Sequence, residues 1–409
     1  MRILIITGGS LPVPAVRGGA IETRVDYLIH ENEENGLWDL EVASCYDERA
    51  ELTGSRYKNT VFQYFVNTPE SVRRSELWNR AVKKVIKNDN VRAKAFYHPF
   101  LHHVLELLKK RTDLDAVLLE NKPEWVLKLR EATKAPLFLH LGNDHLNPST
   151  RNAAQIVQCL DGILTVSDYI TECVMKIPGA EREKIRKIQQ GSDQTLFDLS
   201  RYTQEQKRKI RSEYQIEEDD FVFTFAGRIE REKGVLELVR AFNRFREDNV
   251  KLLIVGDVSV WNRSRAFYEE VMREAEQKKG RVIFAGNVAH DRIAEIHAIT
   301  DAAVLPSTWN EPSGNAMIEC MVAGLPLITT DRGGIPEYCP QGSAVLVPVT
   351  EHLDEELYRE MYRLYQDPAK REELRIRARE SGSRYTTKEH YLQICRAIQE
   401  LSRMENNHK

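Results

Sequence analysis

Short apolar segments alternate with helical segments along almost the whole chain. The first apolar segment, Arg2–Thr7, runs into a loop rich in Gly and Pro at residues 8–20, and apolar residues then recur at helical spacing between 21 and 29. A strand that leads through a Gly-rich loop into a helix is typical of a βα unit, in which parallel strands form a sheet and helices cover its faces. The sequence therefore predicts an α/β protein.

The same alternation occurs in both halves of the chain. In the first half, strands are predicted at Arg2–Thr7, Leu40–Cys45, Val61–Phe65, Ala116–Leu119, Leu137–Leu141, Ile163–Val166 and Ile185–Gln189. In the second half, strands are predicted at Phe221–Ala226, Lys251–Val255, Val282–Ala285 and Ala302–Leu305. We predict two Rossmann-like, doubly wound domains facing a central cleft, because ligands of such sheets bind beyond the carboxyl ends of the strands.

A polar, charged stretch at residues 198–218 separates the two halves. We place an N-terminal domain at residues 1–197 and a C-terminal domain at residues 198–385. The last segment, 386–409, is expected to form a helix that packs back towards the N-terminal domain. A length of 409 residues agrees with two domains, because single cores rarely grow that large.

Composition argues against several classes of protein. Charged residues make up 30% of the chain and hydrophobic residues 42%, which is typical of a globular enzyme and too apolar for a disordered chain. A net charge of −3 gives no electrostatic reason to expect a nucleic-acid partner. The six cysteines form no Cys-x-x-Cys pair, which argues against a metal site or a disulfide framework. Cysteine usage of this kind favours a location in the reducing cytoplasm. The first apolar segment is too short for a signal peptide.

The segment Pro306–Glu337 contains a helix start that is suited to an anion. The strand Ala302–Leu305 leads into Glu311 and Pro312, a Ser-Gly turn follows, and an apolar helical run begins at Asn315. Free N–H groups at a helix start bind anions, and Gly lets a ligand approach the main chain closely. Two carboxylates, Glu311 and Glu319, flank this positive end.

A cationic loop follows the strand Phe221–Ala226. It places Arg228 and Lys233, each beside a Gly, between that strand and the next helix. The guanidinium fork of Arg and the mobile charge of Lys can together neutralise a diphosphate without a metal ion. The alternative interpretation is a solvated loop, which is what we expect for Glu230, Arg231 and Glu232.

Together, F-A-G-R-x-x-x-x-K-G at Phe225–Gly234 and E-P-x-G-x-x-x-x-E at Glu311–Glu319 strongly resemble glycosyltransferase family 4, whose members are retaining enzymes of the GT-B architecture. The downstream Gly333–Glu337 also looks like that family. Glu120–Pro123 resembles a segment of a spore-coat and surface-polysaccharide branch of the family.

The resemblance implies a hexosyltransferase that moves a sugar from a nucleotide-diphosphate sugar, with a UDP-sugar expected, to a glycan, a lipid-linked acceptor or another surface glycoconjugate. The N-terminal domain would lie on the acceptor side and the C-terminal domain would bind the donor. Arg228 and Lys233 would hold the diphosphate and stabilise the leaving group, so that neither a cofactor nor a metal is expected. Glu311 would face the donor sugar. A front-face mechanism, in which the leaving phosphate oxygen takes the acceptor proton, is implied in the same way.

The remaining donor contacts follow from the same resemblance. The amides of Gly314, Asn315 and Ala316 would cap the phosphate at the helix start. Glu319 would accept hydrogen bonds from the ribose diol, and Val288 would lie near the base.

In the first half, Gly18 and Gly19 resemble the family's Gly-Gly loop, whose amides approach the diphosphate and the acceptor. The family also carries a His at the end of the strand that corresponds to Leu137–Leu141. In this chain that register falls on Gly142, and His140 is the better substitute because residues two apart lie on the same side of a strand. A purely structural role for His140 stays open.

Residues 72–94 could form a basic amphipathic helix. Eight basic residues lie among apolar ones in this segment, namely Arg73, Arg74, Arg80, Lys83, Lys84, Lys87, Arg92 and Lys94. Such a helix can rest on an anionic membrane, which would suit a lipid-linked acceptor and a place at the inner face of the membrane. The alternative is a solvated helix whose apolar side packs on its own domain.

Two other functions are compatible with the sequence. A nucleotide-sugar epimerase of the GT-B fold would need no acceptor, and a catalytically silent member would only bind sugar. The spacing of Glu311 and Glu319 speaks against the epimerase. The oligomeric state is not predicted.

Overall fold

The structure, a computed structural model, describes residues 1–85, 98–257, 265–340 and 342–407. The chain divides into two compact units. The first unit comprises Met1–Gln189 together with the chain from Lys388 onward, and the second comprises Gln190–Thr387. Each unit has its own parallel sheet, and the predicted α/β class with two Rossmann-like sheets is confirmed.

The first unit contains a seven-stranded parallel sheet in the order β3-β2-β1-β4-β5-β6-β7. Its strands are β1 (Arg2–Ile6), β2 (Asp39–Cys45), β3 (Thr60–Phe65), β4 (Ala116–Glu120), β5 (Leu137–Leu141), β6 (Gly162–Thr165) and β7 (Ile185–Lys187). The central strands β4 and β5 are buried at every position. Strands buried along their whole length are expected where helices cover both faces of a parallel sheet.

The helices of the first unit are α1 (Ala20–Asn35), α2 (Glu48–Gly54), α3 (Pro69–Val85), α4 (Pro99–Leu108), α5 (Val126–Ala132), α6 (Ala153–Cys159), α7 (Asp168–Met175) and the C-terminal α16 (Thr387–Asn407). The apolar face of α16 joins the core that also contains α1, through Tyr391, Ile394 and Ile398. The hydroxyl of Tyr391 donates a hydrogen bond of 2.6 Å to Asn32 on α1.

The second unit contains a six-stranded parallel sheet in the order β10-β9-β8-β11-β12-β13. Its strands are β8 (Phe221–Ala226), β9 (Val250–Val255), β10 (Val282–Gly286), β11 (Ala302–Leu305), β12 (Leu327–Thr330) and β13 (Val345–Val347). Its helices are α8 (Gln204–Glu213), α9 (Val235–Phe242), α10 (Arg265–Ala275), α11 (Ile293–Ala298), α12 (Asn315–Val322), α13 (Ile335–Tyr338), α14 (Leu353–Gln366) and α15 (Pro368–Gly382).

Residues 198–218, which separate the two halves of the sequence, are packed onto the second unit. Thr203 and Gln206 form a reciprocal capping box at the start of α8, which satisfies two backbone N–H groups of the first turn. Ile210 and Ile216 are buried in a cluster that includes Val222 of β8. This segment therefore contributes to the core of the second unit.

The order of the second sheet changes direction between β8 and β11. These strands are parallel neighbours, with Ala302 opposite Phe223 and Ala303 opposite Thr224. Their carboxyl ends lie at the same edge of the sheet, so the loops that follow Ala226 and Leu305 start side by side. Open α/β sheets bind ligands at such a switch point.

Candidate active site

Backbone contacts fasten the loop after β8 to the loop after β11. The N–H of Thr308 donates a 2.8 Å hydrogen bond to the carbonyl of Glu232. Gly234 has φ +67°, and a Cβ there would lie 2.0 Å from the carbonyl oxygen of Pro306. Only Gly tolerates both this conformation and this approach. The close contact brings Lys233, one residue earlier, to the segment that carries Glu311.

Glu311 receives two side-chain hydrogen bonds on one oxygen. Lys233 Nζ and Ser307 Oγ each lie 2.5 Å from Glu311 Oε1. The Glu311 side chain is 10% exposed and that of Lys233 18%. Burial by itself raises the pKa of Glu311, but the charge of Lys233 and the hydrogen bonds from Lys233 and Ser307 outweigh it and lower that pKa. Glu311 is therefore an ionised carboxylate held in one orientation.

The Gly-Gly pair of residues 333–334 supports the backbone of Glu311. The N–H of Gly334 donates a 2.7 Å hydrogen bond to the carbonyl of Glu311. Gly333 has φ +59°, and a Cβ there would lie 2.3 Å from the same carbonyl oxygen. On the other side of the segment, Thr330 Oγ1 donates a 2.7 Å hydrogen bond to the carbonyl of Ser307. The Glu311 segment is thus fixed from β12 and from the Gly-Gly turn.

Arg228 has different partners from Lys233. Its guanidinium is 56% exposed and pairs with Glu230 at 2.8 Å and with Glu232 at 3.5 Å. The Glu230 side chain, expected to be solvated, is only 15% exposed. Burial and the neighbouring Glu230 raise the pKa of Glu232. An incoming anion would compete with these two carboxylates for Arg228.

The start of α12 offers backbone donors. Gly314 precedes the helix with φ +82°, and as a Gly it has no side chain to cap the first turn. The N–H groups of Met317 and Ile318 both donate to the carbonyl of Gly314. The earlier amides, those of Asn315 and Ala316, belong to the group that an α-helix leaves without an internal partner. Together with the helix dipole, they make this end suited to phosphate.

Glu319 lies one turn further along α12 and has a partner that the motif did not predict. His290 Nε2 lies 3.0 Å from Glu319 Oε1, and the Glu319 side chain is 14% exposed. The hydrogen bond with Glu319 raises the pKa of His290 although burial opposes it. Val288, predicted near the base, is two residues from His290 and is partly buried against the cluster that contains Ile296.

In the first unit, Gly18 and Gly19 lie at the end of the loop that joins β1 to α1. Both have positive φ, +72° and +111°. Nothing lies within 4 Å of a Cβ built on Gly18. The preceding Arg17 pairs with Asp47 at 2.6 Å. The loop therefore presents its backbone at the carboxyl end of β1, which is next to β4 at the switch point of the first sheet.

His140 lies in a fully buried polar network. Its Nδ1 is 3.1 Å from Glu120 Oε1, and Glu120 also pairs with Arg24. Burial raises the pKa of Glu120, but Arg24 and His140 lower it to about 2. Burial and the charge of Arg24 lower the pKa of His140. A neutral His140 then donates from Nδ1 to an ionised Glu120, and the ring of His390 from α16 lies 5.8 Å away.

Gly142, the position on which the family's His falls, also touches this network. A Cβ on Gly142 would lie 2.6 Å from Arg24 Nη1. A His in place of Gly142 would therefore displace Arg24. The small residue and the buried Arg24 are compatible with each other, which accounts for a Gly at this register.

The sequence did not indicate several side chains that surround Glu311 and Glu319 in the second unit and His140 in the first. They are Ser307, Trp309, His290, Arg24 and His390. The ring centroid of Trp309 lies 5.6 Å from Lys233 Nζ. Ser307 lies two residues after the strand Ala302–Leu305, so its place at a strand's carboxyl end could have marked it. The other three carry no local signal, because their partners lie far away along the chain.

Within the described parts of the chain, no cluster of three or more His, Cys, Asp or Glu side chains is arranged to hold a metal ion. None of the helices formed by those same residues combines the length and the apolar character that crossing a bilayer requires.

Comparison with known proteins agrees with this geometry. Residues 206–381 match the family described as glycosyl transferases group 1, and this stretch contains both loops of the site. Spore coat protein SA of Bacillus subtilis (strain 168) is 27% identical over 352 residues, which is 84% of each chain. The chain is a homologue of glycosyltransferases and has the GT-B fold.

Two further proteins extend the comparison. A lipopolysaccharide 1,2-N-acetylglucosaminetransferase of Salmonella typhimurium is 31% identical over 150 residues, 36% of this chain and 39% of that protein. Among solved structures, Anabaena HepE in complex with UDP and glucose superimposes with a TM-score of 0.75 at 18% identity, over 98% of this chain and 99% of that one. A likeness of 18% identity supports the shared GT-B fold.

Proposed function

We propose that the chain is a retaining glycosyltransferase of family 4 that moves a hexosyl group from a UDP-sugar to a surface glycan or lipid-linked acceptor. The observation that carries the proposal is the position of Lys233 and Ser307 on one oxygen of Glu311, at the switch point of the second sheet. A buried, oriented carboxylate beside a helix start suited to phosphate matches a donor with a sugar at one end and a diphosphate at the other.

The departing nucleoside diphosphate is where negative charge develops during transfer. Preorganised donors that point at this charge lower the barrier most effectively. The amides of Asn315 and Ala316 and the side chains of Arg228 and Lys233 supply them. In this proposal the diphosphate draws Arg228 away from Glu230 and Glu232. Lys233 then serves both the leaving group and the orientation of Glu311.

Glu311 binds the donor sugar rather than attacking it. Its Oε1 already accepts from Lys233 and Ser307, which weakens the oxygen as a nucleophile. The remaining acceptor capacity of the carboxylate suits sugar hydroxyls. Retention then follows a front-face path, in which the acceptor hydroxyl attacks on the side of the leaving phosphate and gives its proton to the phosphate oxygen. Trapping of a covalent glycosyl-Glu311 intermediate would contradict this path.

UDP is the proposed nucleotide because HepE, which shares the fold, has been solved with UDP and with UDP-glucose. A surface acceptor is supported by the Salmonella relative, whose name records transfer to lipopolysaccharide. The loop backbone at Gly18 and Gly19, both partly buried, is proposed to bind the acceptor. Val288 is proposed to contact the base.

Peripheral contact with a membrane is a further part of the proposal. Helix α3 exposes four large apolar side chains, Val72 (40%), Leu77 (56%), Trp78 (55%) and Val85 (78%), while Val82 is buried. On a helical projection Arg73, Arg80 and Lys84 lie beside this apolar strip. Apolar side chains flanked by cations match an anionic bilayer at the inner face of the cytoplasmic membrane. The rest of the predicted segment, residues 86–94, lies outside the described residues.

The test is a transfer assay with a panel of nucleotide sugars. Thermal denaturation with UDP-, ADP-, GDP- and dTDP-sugars selects the donor, because a bound ligand stabilises the fold by mass action. Release of nucleoside diphosphate is then measured with and without acceptor for the wild type, for Lys233→Ala and for the exposed-lysine control Lys209→Ala. We expect loss of turnover in Lys233→Ala alone. ¹H NMR of the product should show the anomeric configuration of the donor.

Other outcomes would replace the proposal. Conversion of the nucleotide sugar into an epimer without acceptor would make the protein an epimerase. Donor binding with no turnover on any acceptor or water would make it a silent binding protein. An inverted product anomer would reject retention while leaving glycosyl transfer intact.

A further inference from the structure

We propose that His290 is a positioning residue for nucleotide binding, which holds one oxygen of the Glu319 carboxylate so that the other is presented to the ribose diol. This inference rests on the proposed function, because it names the ribose of the donor as the ligand. It adds a residue outside both motifs and concerns the choice between ribose and deoxyribose.

The geometry of the pair supports the assignment. His290 Nε2 lies 3.0 Å from Glu319 Oε1, which is a hydrogen-bond distance. The two residues come from different elements, since His290 is in the short turn His290–Arg292 after β10 and Glu319 is in the second turn of α12. A contact between separate elements fixes the carboxylate relative to both of them. The second oxygen of Glu319 is then available to a diol, whose two hydroxyls both donate.

Packing fixes His290 in turn. Its ring meets that of Phe197 edge to face, with centroids 6.0 Å apart, and Phe197 is fully buried. Edge-to-face contact is a favourable arrangement for aromatic rings and restricts the imidazole to one orientation. The rigid chain of contacts therefore runs from the core through His290 to Glu319.

Neighbouring charges favour the protonated form of His290, which strengthens its hydrogen bond to Glu319. The charged groups that face His290 are Glu319 on α12, the adjacent Asp291 and Asp193 from the segment before α8, and all three favour the imidazolium. The neighbouring His297 is buried, and burial together with His290 lowers its pKa to about 3, so it adds no competing charge near neutral pH. A protonated His290 donates a charge-assisted hydrogen bond, which is stronger than a neutral one.

The experiment compares ligands with and without the diol. Binding of UDP and of 2′,3′-dideoxy-UDP is measured by calorimetry for the wild type, His290→Ala, His290→Gln, Glu319→Ala and the double variant His290→Ala/Glu319→Ala. We expect His290→Ala to weaken UDP binding about five- to tenfold, which is less than the loss of a whole hydrogen bond to a charged group because Glu319 itself remains, and to leave the dideoxy ligand unchanged. Gln places an amide N–H near the former Nε2, so we expect it to restore most of the affinity.

Two further readouts distinguish positioning from a merely structural role. The double variant should bind UDP no more weakly than Glu319→Ala alone, since His290 acts through Glu319. In the wild type, affinity for UDP-glucose, whose diphosphate does not titrate near neutral pH, should fall as the pH rises through the raised pKa of His290. The His290→Gln protein should lack this dependence.

Controls keep the inference open to rejection. His290→Leu retains bulk against Phe197 without a donor, so it separates loss of the hydrogen bond from loss of packing. His352→Ala removes an exposed His that lies 3.5 Å from Glu351, and it should bind UDP as the wild type does. Equal weakening of both ligands, additive effects in the double variant, or no loss in His290→Ala and His290→Leu would reject the role of His290.

Failure of the proposed function gives a different pattern. If neither UDP nor ADP nor GDP binds the wild type, the nucleotide site itself is rejected, and the role of His290 falls with it. If the wild type binds UDP and Lys233→Ala turns over no donor while His290→Ala behaves as the wild type, only the role of His290 is rejected.

Discussion

Lys233 Nζ lies 2.5 Å from Glu311 Oε1, and the two residues belong to loops that leave neighbouring strands of the second sheet. This ion pair joins the two motifs that are separate in the sequence. It is largely buried, so each charge depends on the other to offset the cost of leaving water. The same pair is proposed to orient the sugar and to stabilise the leaving group, which ties stability and activity together at one point.

Replacing Lys233 alone should affect both properties. We expect Lys233→Ala to lower kcat about 10²- to 10³-fold, the range seen when one preorganised donor is removed. It should also lower the free energy of unfolding by about 3–5 kcal/mol, because Glu311 loses its counter-ion while remaining mostly buried. Initial rates with saturating donor and urea denaturation measure the two effects.

The matched double variant Lys233→Met/Glu311→Gln removes both charges. Its free energy of unfolding should lie closer to that of the wild type than that of Lys233→Ala, while activity stays low. A double variant as unstable as the sum of the two single variants would show that the ion pair contributes nothing to the stability of this site.

Gly234→Ala should distort the site through the backbone. The positive φ of Gly234 and the 2.0 Å distance from a built Cβ to the Pro306 carbonyl leave no room for a side chain. We expect the free energy of unfolding to fall by about 2–4 kcal/mol, within the range for strain at a special backbone position. The loss should show as a lower denaturation midpoint.

Gly280→Ala is the control for this substitution. Gly280 also has positive φ, +78°, but nothing lies within 4 Å of a Cβ built there. Gly280→Ala should lower the free energy of unfolding only by the cost of placing Ala in the left-handed conformation, about 1–2 kcal/mol. Equal destabilisation by the two substitutions would mean that the contact with Pro306 is unimportant.

The sheets and the cationic loops could be predicted from the sequence because their signals are local. Strands at Leu137–Leu141, Phe221–Ala226 and Ala302–Leu305 have the predicted bounds. Helix ends depend on more than local sequence: α9 begins at Val235, because Gly234 is left-handed, and it ends at Phe242. The spacing of apolar residues in the sequence does not define the residue at which a helix ends in the folded protein.

The partners of the site residues could not be predicted in the same way. The hydrogen bond between His290 and Glu319 spans 29 positions, and that between Arg24 and Glu120 spans 96. Neither follows from periodicity, because each depends on how separate elements pack. His140 is the clearest case: its place on the strand was predicted, while its burial with Glu120 and with His390 from the last helix required the fold.

Exposed apolar residues of α3 should determine binding to anionic vesicles. We expect the pair Leu77→Ser/Val85→Ser to reduce co-flotation with vesicles that contain phosphatidylglycerol about tenfold or more, because each side chain would otherwise bury apolar surface in the bilayer. High salt should also weaken wild-type binding, since Arg73 and Arg80 contribute electrostatically.

The control for the vesicle-flotation experiment is a substitution of an exposed apolar residue outside α3. Ile376 on α15 is 59% exposed, and Ile376→Ser should float with vesicles as the wild type does. Loss of flotation in this control, or none in the α3 variant, would remove α3 as the membrane contact. Wild-type protein that fails to float even at low salt would remove membrane contact altogether.

Acid should destabilise the second unit through His297. This residue is fully buried beside Phe197 and Cys320, and burial lowers its pKa to about 3 from an ordinary value of 6.5. Between these two values the unfolded chain binds a proton that the folded chain does not, so the free energy of unfolding falls as the pH falls. One such group contributes a slope of up to about 1.4 kcal/mol per pH unit.

His297→Gln does not titrate, and its unfolding free energy, measured by urea denaturation between pH 6 and 4, should decline less steeply by about that amount. The exposed His352→Gln should keep the wild-type slope, whereas an unchanged slope in His297→Gln would mean that His297 is protonated in the folded protein.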